Sequence, residues 1–173
     1  MFTYSIQRLD ESVRATVVKH FLALPMKDRS LRFAVALAPT AIAAYVDRID
    51  FVRDAIFGIH DDQQAVIGVA HVALEDERAE VALSVLPAHR GCGMGGALFE
   101  RAVAHARNAR IPRVLMFFRW GNAPIIRIAR RFGMDIVTGA GGSAEAHLKL
   151  KSPPWRQLPL SPMNGQARRY ECQ

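Results

Sequence analysis

The sequence feature that most constrains the fold is a run of glycines between an extended apolar segment and a helical pattern. The run reads Arg90-Gly91-Cys92-Gly93-Met94-Gly95-Gly96. It follows the apolar segment 81–86 and precedes the segment 97–109, where apolar residues recur at four-residue spacing. A strand, a glycine loop and a helix in this order expose backbone N–H groups at the helix N-terminus. Such a loop is typical of a site for an anion such as a pyrophosphate.

Two common phosphate loops fit this run poorly. A Walker loop ends in Gly-Lys-Ser/Thr, and that ending is absent here. Gly91, Gly93 and Gly96 match the G-x-G-x-x-G spacing of dinucleotide-binding proteins. That fingerprint also needs an acidic residue about 20 residues further on, where this chain has Val114 and Leu115. A nicotinamide-dependent redox enzyme is therefore disfavoured.

The pattern R-x-x-G-x-G, formed by Arg90, Gly93 and Gly95, resembles that of the GNAT superfamily of acyl-CoA-dependent N-acetyltransferases. The segment 79–87 is similar to the family's fourth strand. Asn122 and the segment 129–134 are similar to the exit of its fifth strand and to its fourth helix. The resemblance extends over residues 64–150.

The resemblance implies an α/β (α+β) GNAT fold. Its sheet is mixed and mostly antiparallel, has six to seven strands, is flanked by helices and is splayed at strands 4 and 5. It also implies acetyl-CoA as co-substrate, with no metal, and direct transfer of the acetyl group to a primary amine in a ternary complex. In the family, a bulge in the fourth strand turns a backbone N–H toward the thioester carbonyl.

Carried over residue by residue, the resemblance assigns a cofactor-binding set. The backbone of Val85 is expected to meet the acyl-pantetheine arm, and Asn122 to contact the pantetheine. The pyrophosphate is expected on the loop residues Arg90, Gly91, Cys92, Gly93, Met94, Gly95 and Gly96.

A catalytic role falls on Glu80, because an amine must lose a proton before it can attack and a nearby carboxylate can accept it. Glu80 occupies the family position of such a base; the competing interpretation is a strand-edge glutamate in solvent. Many family members protonate the leaving thiolate with a tyrosine at the position of Ala129. Its absence keeps open an alternative, a non-catalytic acyl-CoA-binding regulatory module.

The region before the sheet is helix-rich. With its Arg32-Phe33 pair and the turn 49–51, it resembles the bacterial protein-lysine acetyltransferase module. The acceptor is expected to be a protein lysine or a small amine. Family members are often dimers, and the final strands are compatible with a homodimer.

The pattern along the chain predicts one domain over residues 1–151, which the resemblance implies is an N-acetyltransferase domain, and a proline-containing extended or mobile tail over 152–173. Strands are expected at 2–8, 55–60, 65–73, 80–86, 114–118, 135–138 and 144–151, with helices at 11–24, 40–49 and 97–109 and a helix capped by Asn122. The segment 28–33 is expected to lead into the helix at 40–49.

The net charge of +7 favours anionic partners in general. The arginines form no stripe with interleaved aromatics, so nucleic-acid binding is not predicted. Arg127, Arg130 and Arg131 are expected to form a solvated helix face. No apolar run approaches the roughly 18 residues that span a bilayer, and no secretory pattern is present, so a cytoplasmic protein is expected. Histidines and carboxylates show no metal-ligand spacing.

Overall fold

The computed structural model describes residues 2–151 and 170–172. The strands are β1 Phe2–Tyr4, β2 Ile6–Leu9, β3 Ala55–His60, β4 Val66–Leu74, β5 Arg78–Val85, β6 Arg113–Arg119, β7 Asp135–Thr138, β8 Ser143–Lys149 and β9 Tyr170–Cys172. The α-helices are α1 Arg14–Ala23, α2 Met26–Phe33, α3 Pro39–Asp47, α4 Met94–Asn108 and α5 Ala123–Arg131. None of the helices in this part of the chain has the length and apolarity needed to cross a membrane.

The main sheet has seven strands in the order β2-β3-β4-β5-β6-β8-β7. Its neighbouring strands are antiparallel except for the parallel pair β5 and β6. A separate antiparallel pair joins β1 to β9. The predicted mixed, mostly antiparallel sheet is therefore confirmed.

The parallel pair β5 and β6 separates part of the way along. Its ladder runs from Arg78 opposite Arg113 only as far as Glu80 opposite Leu115. Both strands continue beyond this point, so residues 81–85 of β5 have an edge that β6 does not pair. This is the splay that the resemblance implies for the family's fourth and fifth strands, which are β5 and β6 here. The expected bulge is absent, because β5 pairs with β4 without a register shift.

The two faces of the sheet carry separate cores. Along β5, the buried residues Ala79, Val81 and Leu83 face the core built around α4. The alternate residues of a strand point to the opposite face. That face packs against α1 and α3 in a second core. The helix α2 contacts both β5 and β6, so it lies over the place where these two strands separate.

Most predicted elements are present, and two differ. Segment 28–33 is part of a helix of its own, α2, which ends where Ala34 adopts a left-handed φ of 64°. The predicted first strand divides into β1 and β2. The predicted tail falls largely on residues 152–169 and 173, which lie outside the described residues, so it remains a prediction.

Candidate functional site

The glycine loop leads from β5 into α4 through two left-handed residues. Gly91 has φ +86° and Gly93 has φ +74°, and Gly93 is the N-cap of α4. Residues with a Cβ rarely adopt such angles. A Cβ on either would meet no heavy atom within 4 Å, so both face open space. The first turn of α4 then presents unpaired N–H groups with no acidic side chain beside them.

The other two glycines of the run serve helix packing. A Cβ on Gly95 would lie 3.1 Å from the Ile128 Cδ1 atom, and one on Gly96 would lie 3.3 Å from Arg131 Nη1. Both neighbours belong to α5. These glycines therefore let α5 approach α4, which the sequence did not indicate.

The loop opens into a cleft of about 400 Å³. Eight of the predicted cofactor-binding residues line it: Val85, Arg90, Gly91, Gly93, Met94, Gly95, Gly96 and Asn122. Cys92 and Glu80 are not among the lining residues. The backbone carbonyl of Cys92 instead accepts a hydrogen bond of 3.3 Å from the Tyr4 hydroxyl.

Two helices supply walls that sequence reasoning missed. From α2 come Asp28, Leu31 and Arg32, and from α5 come Pro124, Ile125, Arg127, Ile128 and Arg131. Arg127, Arg130 and Arg131 are exposed, as the predicted solvated face of α5 requires, and Arg127 and Arg131 also line the cleft. The amphipathic pattern of α5 indicates a buried and a polar face, but it does not show what the polar face borders.

Arg90 is held by protein groups. Its Nε donates a 3.0 Å hydrogen bond to the Val85 carbonyl, and its Nη2 lies 2.9 Å from the Asp28 carboxylate. Asp28 belongs to α2, so this ion pair joins α2 to the glycine loop. The Arg90 guanidinium also offsets the negative charge of the Asp28 carboxylate, which would otherwise disfavour an anion in the cleft.

Asn122 caps α5 at the cleft. Its Oδ1 accepts a 3.4 Å hydrogen bond from the Ile125 N–H, and the residue is buried. The predicted cap is therefore confirmed. Its contact with a pantetheine stays a prediction.

A buried pair under the cleft joins α1 to the sheet. His20 is only 2% exposed; its Nδ1 lies 2.9 Å from the Val66 carbonyl and its Nε2 lies 2.8 Å from Ser84 Oγ. A carbonyl can only accept, so Nδ1 carries the proton and Nε2 accepts from the Ser84 hydroxyl. Burial lowers the pKa of His20 to about 4, which keeps it neutral. Ser84 lines the cleft.

Glu80 lies on the same face of β5 as Ser84 and is half-buried. Burial raises the pKa of its carboxyl above the usual range, and the nearby Arg32 guanidinium partly opposes this shift. A carboxylate with a raised pKa is a better proton acceptor than one in solvent. The structure thus places Glu80 in a partly desolvated position on β5, within the electrostatic influence of Arg32 of α2.

Comparisons with known proteins agree with this architecture. A model of the acetyltransferase (GNAT) family matches residues 26–134. No curated protein matches the sequence in a direct comparison. The GNAT domain of Streptomyces lividans PAT has 19% identity and a TM-score of 0.71, covering 84% of this chain and 89% of that one.

Two further solved structures have a similar fold. The PaiA N-acetyltransferase of Thermoplasma acidophilum, in complex with coenzyme A, has 14% identity and a TM-score of 0.66, over 85% of this chain and 99% of that one. The ribosomal-protein-S18-alanine N-acetyltransferase of Escherichia coli also has 14% identity and a TM-score of 0.66, over 90% and 99%. With the family match, the splayed sheet and the glycine loop, the chain belongs to the GNAT acetyltransferase family.

Proposed function

We propose that this protein transfers the acetyl group of acetyl-CoA directly to a primary amine, of a protein lysine or of a small molecule, in one ternary complex. The observation that carries the proposal is that the glycine loop and the unpaired edge of β5 open into the same cleft. An anion on the loop would leave the rest of an extended cofactor beside the strand edge.

The unpaired edge of β5 supports a role in holding the acyl arm. Beyond Glu80, backbone groups of β5 face the gap to β6 without a strand partner. Val85 ends this stretch next to the loop. A backbone N–H directed at the thioester carbonyl would stabilise the oxyanion that forms there.

Glu80 is the proposed base. An alkyl amine with a pKa of about 10.4 is mostly protonated near neutral pH, so a proton must leave before the nitrogen attacks the thioester carbon. Five residues of a strand span about 16 Å, which separates Glu80 from Val85 along β5. We therefore propose that the proton reaches the Glu80 carboxylate through water.

Loss of the CoA thiolate completes the transfer. The buried Ala129 provides no acid at the position of the family tyrosine. A thiol with a pKa of about 8.5 leaves readily as the thiolate, which takes a proton from water afterwards. The nitrogen–carbon bond forms first and gives the oxyanion; the nitrogen then loses a second proton to water as the carbon–sulfur bond breaks, and the products are an amide and CoA.

The test is thiol release from acetyl-CoA by the full chain with a panel of small amines and lysine peptides. The parent is compared with Glu80→Gln and with the matched control Glu77→Gln, whose exposed ion pair with Arg113 contributes little. We expect acceptor-dependent release that falls about 100-fold or more in Glu80→Gln and is unchanged in Glu77→Gln. Tight acetyl-CoA binding without release on any acceptor would favour a non-catalytic acyl-CoA-binding module.

A further inference from the structure

Arg32 is a cation of the cleft that forms no ion pair within the described residues. It lines the cleft from α2. Its Nε is buried and donates to no acceptor in that part of the chain. A partly desolvated cation with an unused donor is costly unless an anion arrives to pair with it.

The guanidinium is held in place by aromatic rings and one phenol. It lies over the rings of Phe21, Phe33 and Tyr45, at 5.3, 4.7 and 5.5 Å from their centroids. Its Nη2 donates a 2.9 Å hydrogen bond to the Tyr45 hydroxyl. The rings restrict the side chain but leave other guanidinium N–H groups unused.

A chain of hydrogen bonds fixes the phenol in turn. The Tyr45 oxygen lies 2.7 Å from His71 Nδ1, and His71 Nε2 lies 2.9 Å from the Asp54 carboxylate. Arginine only donates, so Tyr45 accepts from Arg32 and gives its own proton to His71 Nδ1. His71 then donates from Nε2 to Asp54. The chain joins α2, α3 and β4, and it positions Arg32 without neutralising it through a direct ion pair.

The position of Arg32 points to the acceptor end of the cleft. Asp28, one helical turn earlier on α2, is paired with Arg90 of the glycine loop. The Tyr45 hydroxyl joins Arg32 to His71. His71 lies opposite Ala82 on β5, two residues from Glu80, the proposed base. The helix α2 thus runs from the loop toward Glu80, and phosphates on the loop would already have Arg127 and Arg131 nearby.

We infer that Arg32 binds a carboxylate of the acceptor, so that the acceptor class is an amine that carries a carboxylate. This inference rests on the proposed function and names its substrate class. The carboxylate belongs either to a free amino acid or to an acidic side chain beside a lysine. In both cases the guanidinium fork pairs with two oxygens while the amine is directed toward the acyl group.

The test compares acceptors that differ only in this group. Free amino acids are paired with their carboxamides, and lysine peptides with glutamate beside the lysine are paired with peptides that have glutamine there. Thiol release from acetyl-CoA gives kcat/KM for each acceptor. The proteins are the parent, Arg32→Gln, Arg32→Lys and the matched control Arg48→Gln, an exposed arginine at the end of α3.

We expect the parent and Arg48→Gln to prefer the carboxylate by about tenfold or more in one of the two acceptor series. The preference should disappear in Arg32→Gln with the KM for acetyl-CoA unchanged. The acceptor series in which the parent shows the preference, either free amino acids or lysine peptides, identifies the source of the carboxylate. If Arg32→Gln does not fold, Arg32→Lys decides, because an ammonium cannot form the fork and the preference must fall.

Three results would overturn this inference alone. One is release without any carboxylate preference in the parent, which leaves the proposed function intact. Another is a preference that survives in Arg32→Gln. The third is a rise in the KM for acetyl-CoA with the preference unchanged, which would assign Arg32 to the cofactor. Absence of release with every acceptor would contradict both the proposed function and this inference.

Discussion

Among single residues, Gly93 combines a left-handed backbone with a place at the N-terminus of α4. We expect Gly93→Val to weaken acetyl-CoA binding about tenfold or more, because a Cβ at φ +74° is strained and the valine would occupy the open space at the N-terminus of α4. The strain itself should cost about 1–2 kcal/mol of stability. Calorimetric titration with acetyl-CoA and thermal unfolding measure the two effects separately.

Gly142→Val is the matched control for Gly93→Val. Gly142 also has a left-handed φ, +76°, and no heavy atom near its Cβ, but it lies outside the cleft. It should lose similar stability and keep its affinity for acetyl-CoA. Equal losses of affinity in both variants would contradict the assignment of the loop.

The charge state of Glu80 predicts a pH dependence. The carboxyl must be ionised to accept a proton, and burial raises its pKa, so kcat/KM should fall with decreasing pH at values above those of an exposed glutamate. Arg32 lowers this pKa, so Arg32→Gln should shift the acid limb to higher pH. The pH profile of kcat/KM is measured with an acceptor that has no carboxylate, such as an amino-acid carboxamide. An acid limb at the same pH in both proteins would show that Glu80 is not the titrating base.

At the scale of elements, His20 couples the docking of α1 to pH. Its pKa is about 4 in the folded protein and about 6.5 when unfolded. As the pH falls, His20 therefore binds a proton in the unfolded chain before it does so in the folded protein. The stability that is present above pH 6.5 is lost as the pH falls toward 4. The loss from this group alone is about 3 kcal/mol.

Urea unfolding between pH 4 and 7 tests this coupling. His20→Gln should be less stable near neutral pH and lose less stability on acidification than the parent. The control Ala15→Ser, at an exposed position of α1 without a titratable group, should keep the parent's pH dependence. A parent-like pH dependence in His20→Gln would contradict the role of the buried imidazole.

The elements that the sequence predicted well have strong local patterns. The hairpin β3–β4 follows from two apolar runs around a polar turn, and α4 follows from its four-residue spacing after the glycines. By contrast, α2 has no buried residue and no side-chain N-cap. The helix α2 is stabilised by tertiary contacts such as the ion pair of Asp28 with Arg90, and no local sequence pattern indicates such contacts.

At the scale of the whole molecule, the net charge of +7 predicts that salt weakens cofactor binding. Raising the ionic strength from about 0.01 M to about 1 M shortens the Debye length from about 30 Å to about 3 Å. The affinity for acetyl-CoA should therefore fall several-fold. Uncharged pantetheine serves as the control ligand, since its binding should hardly change. Salt-independent binding of acetyl-CoA would indicate that the positive field does not contribute.

The sequence by itself determined the glycine loop and most of the order of elements, because these depend on local spacing and backbone angles, and the resemblance of its motifs to the GNAT family assigned eight residues of the cleft. Only the tertiary structure decided which groups face that cleft from elsewhere. Arg32, Arg127 and Ser84 meet there because α2 contacts both β5 and β6, α5 packs against α4, and His20 of α1 accepts the hydrogen bond of Ser84. Their charges and hydrogen bonds depend on neighbours distant in the chain, and the hydrophobic periodicity of the sequence does not indicate these neighbours.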